Sequence, residues 1–230
     1  SDKGYRGVVI QLFKDFADIR TEGTRIFAQA GASLAKIAAE ALRNSLTGFE
    51  FAAGIPGTLG GACIMNAGAY GGEMKDVLES VTVLDGQGDI RVLPREELDM
   101  GYRTSRAARE GYIVLEAVIA LEPGDESKIR EKLEDLKERR TSKQPLEYPS
   151  AGSTFKRPEG YFAGKLIQDA GLRGLRVGDA MVSEKHCGFV INCGSATAAD
   201  VDRLIRQVQE RVRENSGVTL EPEVKRLGEF

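Results

Sequence analysis

Ala53-Gly54-Ile55-Pro56-Gly57-Thr58-Leu59-Gly60-Gly61-Ala62-Cys63-Ile64-Met65-Asn66-Ala67-Gly68-Ala69-Tyr70-Gly71-Gly72-Glu73 is a glycine-rich tract in the first third of the chain. Glycine lets the backbone approach a ligand closely and leaves N–H groups free to point at an anion. The tract carries neither the GK[ST] ending of a Walker loop nor the GxGxxG fingerprint of dinucleotide-binding folds. It therefore reads either as a long structural loop or as a cofactor cradle. Pro56, Asn66 and Tyr70, interleaved among the glycines, suit both.

On the N-terminal side, Ser1-Asp2-Lys3-Gly4 opens without methionine directly before an apolar run. That start reads as a cut inside a domain, with sequence expected upstream. Residues 7–12 and 24–29 read as strands, with a turn near Glu22-Gly23. Residues 33–45 read as a helix: Leu34, Ile37, Ala38, Ala41 and Leu42 share one face, and Ser33 can cap it. On the C-terminal side, residues 81–93 form a hairpin around Asp85-Gly86-Gln87-Gly88. Arg103, in Gly101-Tyr102-Arg103-Thr104-Ser105, is either a surface loop arginine or a fork that grips a carboxylate in two places. Residues 112–121 read as a buried strand. Glu122-Pro123-Gly124-Asp125 breaks the pattern, which places a boundary between a domain of residues 1–123 and one of 124–230.

The second domain starts with a highly charged helix, about 127–140, with Ile129, Leu133 and Leu136 on one face. The basic loop Arg139-Arg140-Thr141-Ser142-Lys143-Gln144-Pro145 leads into Ala151-Gly152-Ser153-Thr154-Phe155-Lys156-Arg157-Pro158. There Gly152 permits a turn and Thr154-Phe155 favours extension. Ser153 is an ordinary turn serine or a hydroxyl set beside two cations. Residues 161–170 read as a short helix and 188–192 as a strand. Residues 198–214 read as a helix stopped by Gly217, and 218–220 as a last strand before Glu221-Pro222-Glu223. His186 is the only histidine, which weakens a metal site, and without GxSxG a serine-hydrolase triad has little support.

A net charge of −3 argues against a general nucleic-acid binder. Three cysteines without CxxC spacing suit a reducing cytoplasm. No apolar run reaches membrane-helix length, and no signal peptide is visible. A soluble cytoplasmic monomer is expected, of α+β class in two lobes.

Taken together, Gly54-Ile55-Pro56-Gly57-Thr58-Leu59-Gly60-Gly61, Asn66-Ala67-Gly68-Ala69-Tyr70-Gly71, Tyr102-Arg103-Thr104-Ser105, the segment around Ser153, Ala163-Gly164-Lys165-Leu166-Ile167, Ser183-Glu184-Lys185-His186 and Leu220-Glu221-Pro222-Glu223-Val224 resemble, in order and spacing, the UDP-N-acetylenolpyruvoylglucosamine reductase family. The resemblance is to its shorter subtype. It implies a two-lobed FAD-binding fold of the vanillyl-alcohol-oxidase type, with an α+β substrate lobe whose last strand returns to the FAD domain. It implies FAD and NADPH as cofactors and the enolpyruvyl ether of UDP-N-acetylglucosamine as substrate. It assigns Arg103, Ser153 and Glu223 to catalysis. Gly54, Ile55, Pro56, Gly57, Gly60, Gly61, Asn66, Gly68 and Lys225 would approach FAD. Lys143, Arg157, Lys165, Arg173 and His186 would meet substrate or NADPH phosphates. Lys156 and Arg157 are expected beside the Ser153 hydroxyl. The family also carries a glycine-rich flavin loop whose end resembles Ser1-Asp2, so the chain by itself is expected to bind flavin poorly. Two other readings stay open: a nucleotide-sugar-binding module without redox chemistry, and a flavin oxidase with covalently attached flavin.

Overall fold

The hairpin turn at 85–88 forms because the Asp85 carboxylate accepts from the backbone N–H of Gln87 (2.9 Å) and Asp89 (3.0 Å). In the computed structural model, which describes residues 1–229, the flanking segments pair antiparallel from Ser80↔Pro94 to Leu84↔Ile90. Contacts divide the chain into two units: residues 10–140, and residues 1–9 with the chain from Thr141 onward.

The unit of residues 10–140 runs β1 (Ile19–Glu22), β2 (Arg25–Gln29), α1 (Leu34–Arg43), β3 (Leu46–Thr47), α2 (Leu59–Met65), β4 (Gly68–Ala69), β5 (Gly72–Glu73), α3 (Met74–Val77), β6 (Leu78–Leu84), β7 (Ile90–Pro94), α4 (Arg106–Arg109), β8 (Ile113–Ala120), β9 (Glu122–Pro123) and most of α5 (Glu126–Lys143). Its sheet has the order β1-β2-β8-β6-β7, antiparallel throughout. Helix α1 begins as expected, with the Ser33 hydroxyl accepting from Lys36 N–H at 3.3 Å. Its apolar stripe is buried with Ile26, Leu59, Met74 and Ile119 in one core.

The unit containing residues 141–229 carries β10 (Ser150–Ser153), α6 (Ala163–Asp169), β11 (Arg176–Val177), β12 (Ala180–Val182), β13 (Phe189–Asn192) and α7 (Ala198–Ser216). The sheet order is β10-β13-β12-β11. Helix α7 has a capping box between Thr197 and Asp200 and ends on Gly217 at φ 74°. Leu204, Ile205, Val208 and Val212 bury one stripe of it against Ile167 and Leu172. The Asp2 carboxylate accepts from the N–H groups of Ala198 (2.6 Å) and Ala199 (2.8 Å), which ties the first residues to this unit.

Four readings of the sequence differ from the structure. Residues 7–12 form no strand; Val8, Val9 and Ile10 are 85%, 77% and 82% exposed. A strand needs a hydrogen-bonding neighbour, and this run has none among the described residues. The strand that pairs with β2 is instead the polar β1. The units divide inside α5 rather than at residue 123. Gly124 N–H donates to Ser45 O (2.7 Å), β9 pairs with β3, and Ile129 is buried, so α5 stays with the first unit as far as Arg140. Residues 218–220 are not a strand and group with the second unit. Pro222, which lacks a donor, limits pairing there to a single bridge with Phe155. Finally, the glycine tract contains helix α2, which its composition conceals.

Candidate active site

The glycines of the tract fall into two kinds. A Cβ on Gly60 would lie 3.0 Å from Ala30 Cβ, on Gly68 2.7 Å from Gly72 O, and on Gly54 2.7 Å from Arg140 Nε. At Gly60 and Gly68 the chain's own packing asks for glycine, whereas at Gly54 the near atoms belong to the flexible Arg140 side chain. Gly57 and Gly61 are exposed, and a Cβ would meet nothing within 4 Å at Gly57 and only Thr58 Oγ1, at 4.0 Å, at Gly61. Neither takes a positive φ. Nothing inside the chain demands glycine there, so the bare backbone is available to an approaching group. The tract therefore fits a bound flavin nucleotide at Gly57 and Gly61. Pro56 is exposed beside them, and Ile55 packs against the core.

Asn66 ends α2 in the left-handed region at φ 43° and is 1% exposed. Its amide nitrogen donates to Glu73 Oε2 (2.5 Å) and Gly101 O (3.1 Å), and its carbonyl accepts from Lys75 N–H (2.9 Å). The side chain is thus spoken for inside the fold. It fastens the tract to the Arg103 turn. Ser105 is a second fastener: it is fully buried, donates to Ile64 O (2.9 Å) and accepts from Ala108 N–H (3.2 Å).

Between these anchors Gly101-Tyr102-Arg103-Thr104 closes a tight turn through Gly101 N–H to Thr104 O (3.1 Å) and Thr104 N–H to Gly101 O (3.3 Å). Arg103 occupies its third position at φ 56°, where glycine or asparagine is preferred. A long side chain held in that conformation costs of order 1–3 kcal/mol, and such residues cluster at functional sites. The guanidinium lies 5.0 Å from the centre of the Tyr102 ring.

In the second unit, Gly152 (φ 83°) turns the chain into Ser153, which pairs with Phe189 and is exposed. Thr154, next in line, is buried. Its N–H donates to Gly188 O (2.8 Å) and its hydroxyl accepts from Val190 N–H (3.0 Å). On the other side Glu223 N–H donates to Thr154 O and Lys156 N–H to Glu221 O, both at 2.8 Å. Ser153 and Glu223, far apart in sequence, therefore sit on adjoining strands of chain. The same pairing sets Lys156 opposite Glu221, and its ammonium joins that carboxylate (2.5 Å) instead of lying beside the serine hydroxyl as expected. Arg157 lies over the Phe162 ring (4.0 Å) and donates to Tyr161 O (3.2 Å). The C-terminal segment is further pinned to α7. Gln209 donates to Leu220 O (2.8 Å), and the buried Asp202 pairs with Arg226 (2.5 Å) and Arg206 (2.6 Å). Lys225 is exposed on this pinned segment.

The loop of residues 183–188 brings His186 and Arg173, two of the five expected phosphate ligands, together. The Ser183 hydroxyl accepts from the N–H groups of Lys185 (3.2 Å) and His186 (3.3 Å). Arg173 donates to Glu184 O and to Gln168 (2.9 Å), and Lys185 reaches Thr141 O (2.9 Å), two residues before Lys143. His186 packs on Gly164, where a Cβ would lie 3.3 Å from its ring, and edge-on to Phe189. Burial holds its pKa below the usual histidine value. Because Nδ1 accepts from Gly188 N–H (3.1 Å), the proton of the neutral ring sits on Nε2. His186 thus offers a neutral donor, not a charge. Lys165 pairs with Asp169. Sequence reading passed over Ser105, Thr154, Asp202 and Arg140. The first three act through buried contacts that no spacing reveals, and Arg140 stood unremarked in a basic loop.

Residues 144–227 match the model of the UDP-N-acetylenolpyruvoylglucosamine reductase C-terminal domain, and residues 1–93 match an FAD-binding domain. The UDP-N-acetylenolpyruvoylglucosamine reductases of Lachnoclostridium phytofermentans and Agathobacter rectalis are 58% and 57% identical over all of this chain, which spans 75% and 77% of their lengths. The crystal structure of the corresponding reductase from Thermus caldophilus is similar with a TM-score of 0.80 at 39% identity, covering 92% of this chain and 74% of that one. Fold, domain order and sequence agree: the chain belongs to the UDP-N-acetylenolpyruvoylglucosamine reductase family.

Proposed function

We propose that the protein is an FAD-dependent reductase that uses NADPH to convert the enolpyruvyl ether of UDP-N-acetylglucosamine into UDP-N-acetylmuramate, in cytoplasmic peptidoglycan precursor synthesis. One observation carries the reading: identity of 57–58% with reductases of that name over the whole chain. Bound FAD supplies the hydride that NADPH delivers.

The roles of the chain's own residues follow from the charge that must be managed. Hydride arriving at the terminal vinyl carbon of the substrate leaves negative charge on the α-carbon and its carboxylate. A pre-placed cation lowers that barrier most when it need not reorganise. Arg103, fixed in its strained turn by Asn66 and Ser105, is such a group, and its fork suits a carboxylate. The α-carbon then requires a proton from a positioned acid. Ser153 has an exposed hydroxyl on a backbone held from both sides, and Glu223 is fastened beside it through Thr154. We assign Ser153 the proton transfer and Glu223 a hydrogen bond to the developing enol. Arg173, His186, Lys165, Lys143 and Arg157 receive the phosphates.

The test is spectroscopic. In the full-length protein a flavin band should bleach with NADPH and return anaerobically only on adding the UDP-enolpyruvyl sugar. Ser153→Ala should still bleach but return about 10²–10⁴-fold more slowly. Absence of a flavin band after reconstitution with FAD defeats the flavoenzyme reading. A near-normal return in Ser153→Ala defeats the assignment of that residue.

A further inference from the structure

We propose that Arg140 is an anion-binding residue of the glycine tract and takes the diphosphate of a nucleotide ligand; the proposal rests on the flavoenzyme reading above. Arg140 sits in the last turn of α5. Its guanidinium lies against the Gly54 backbone so closely that a Cβ there would meet Nε at 2.7 Å, Cδ at 3.3 Å and Cζ at 3.2 Å. Its Cζ is 5.9 Å from the centre of the Tyr70 ring. One side chain thus lies close to both Gly54 and Tyr70. Tyr70 is itself held for presentation: with Gly71 it forms the two-residue turn between β4 and β5, both at positive φ (54° and 89°), and it is 45% exposed.

The helix does not account for this cation. Its neighbour Arg139 forms an ordinary i,i+4 ion pair with Asp135 (2.8 Å). Four and three residues before Arg140 stand Leu136 and Lys137, so the helix offers it no carboxylate. Among the described residues no acidic side chain pairs with it. A half-buried guanidinium, laid on bare glycine backbone and beside an aromatic face, has five donors in a fixed fork that matches phosphate oxygens.

Nucleotide diphosphates of two sources could fill the fork: that of FAD, and that of the dinucleotide or UDP-sugar substrates. The experiment uses the full-length protein as wild type, Arg140→Ala and Arg140→Lys. Binding of FAD and of riboflavin, which lacks phosphate, to the apoproteins is titrated by flavin fluorescence. Steady-state constants are measured on the reconstituted enzymes. Loss of a charge-assisted pair predicts a 10- to 100-fold weaker FAD affinity in Arg140→Ala, with riboflavin unchanged and Arg140→Lys intermediate. FAD affinity unchanged, with a similar rise in KM for NADPH or the UDP-sugar at constant kcat, would assign the fork to a substrate diphosphate. Equal losses for FAD and riboflavin would make Arg140 a structural support and overturn the proposal. So would no change in any of these quantities. Failure of the wild type itself to bind FAD would instead overturn the underlying reading, and the proposal with it.

Discussion

Replacing Asn66 by alanine tests whether the Arg103 turn is held from below. The side chain is 1% exposed and makes three hydrogen bonds, one of them to the Glu73 carboxylate. A neutral hydrogen bond contributes about 1 kcal/mol net and one to a charged group about 1.5–3 kcal/mol, so the three together are worth about 4 kcal/mol. Alanine also inherits a left-handed backbone (φ 43°), which it tolerates less well than asparagine. Asn66→Gly removes that strain while losing the same bonds, and should be about 1 kcal/mol less damaging than Asn66→Ala. Four kcal/mol is a large share of the roughly 5–15 kcal/mol that holds a domain together. The assay is urea unfolding of wild type, Asn66→Ala and Asn66→Gly, with kcat measured on the folded fraction below the transition. Because Gly101 O loses the Asn66 donor and keeps only Thr104 N–H, kcat should fall in both variants even where the protein remains folded. A destabilisation below about 1 kcal/mol with unchanged kcat would refute the claim that Asn66 positions the turn.

The two kinds of glycine should separate experimentally. Gly57→Ala should leave the stability of the apoprotein within about 0.5 kcal/mol and weaken FAD binding. Gly60→Ala, which forces a methyl to 3.0 Å from Ala30 Cβ, should cost about 1–3 kcal/mol by denaturation. Among the cysteines, Cys63 is buried and its thiol pushed up to about 12, and Cys187 is buried with its pKa raised by the same desolvation. A thiol reagent at pH 8 should therefore modify the half-buried Cys193 first, and mass mapping of the labelled peptides checks it. His186 has a folded pKa below its ordinary value, so the unfolded chain binds its proton more readily. Stability from this group is present above the usual histidine pKa and is lost as pH falls from there toward the folded value. Melting temperatures across pH 5–8 should show this loss in the wild type and a smaller one in His186→Gln.

The legible parts of the fold are those whose cause is local. The hairpin of β6 and β7 is written in the Asp85 turn, α1 in its stripe and Ser33, and α7 in the Thr197–Asp200 box and Gly217. Residues 7–12 misled because an apolar run reports apolar side chains, not a partner to pair with. β1 was hidden because Ile19-Arg20-Thr21-Glu22 is polar, and an edge strand needs only one neighbour to form. Helix α2 was hidden because glycines discourage helix intrinsically, whereas here Gly60 is required so that the helix can close on Ala30.

The site shows the same division more sharply. Motif order singles out Ser153, Arg103 and Glu223 as candidates, but not what the structure adds to each. The adjacency of Ser153 and Glu223 is a backbone fact, made by Glu223 N–H on Thr154 O and by a buried threonine that a sequence reader would take for filler. That arrangement has a consequence for charge. The cross-chain register that brings Glu223 beside Ser153 also sets Lys156 opposite Glu221, so the lysine is neutralised by the acid its own neighbour selects. A serine required to release a proton cannot then count on Lys156. Its acidity must come from the substrate: the α-carbon charge that Ser153 would quench is itself what makes the transfer favourable. If so, Lys156→Met should leave the rate of flavin reoxidation by the UDP-enolpyruvyl sugar within about threefold of wild type, while Ser153→Ala slows it about 10²–10⁴-fold. A loss in Lys156→Met approaching that of Ser153→Ala would show that the ion pair with Glu221 opens during turnover and that the lysine stabilises the alkoxide after all.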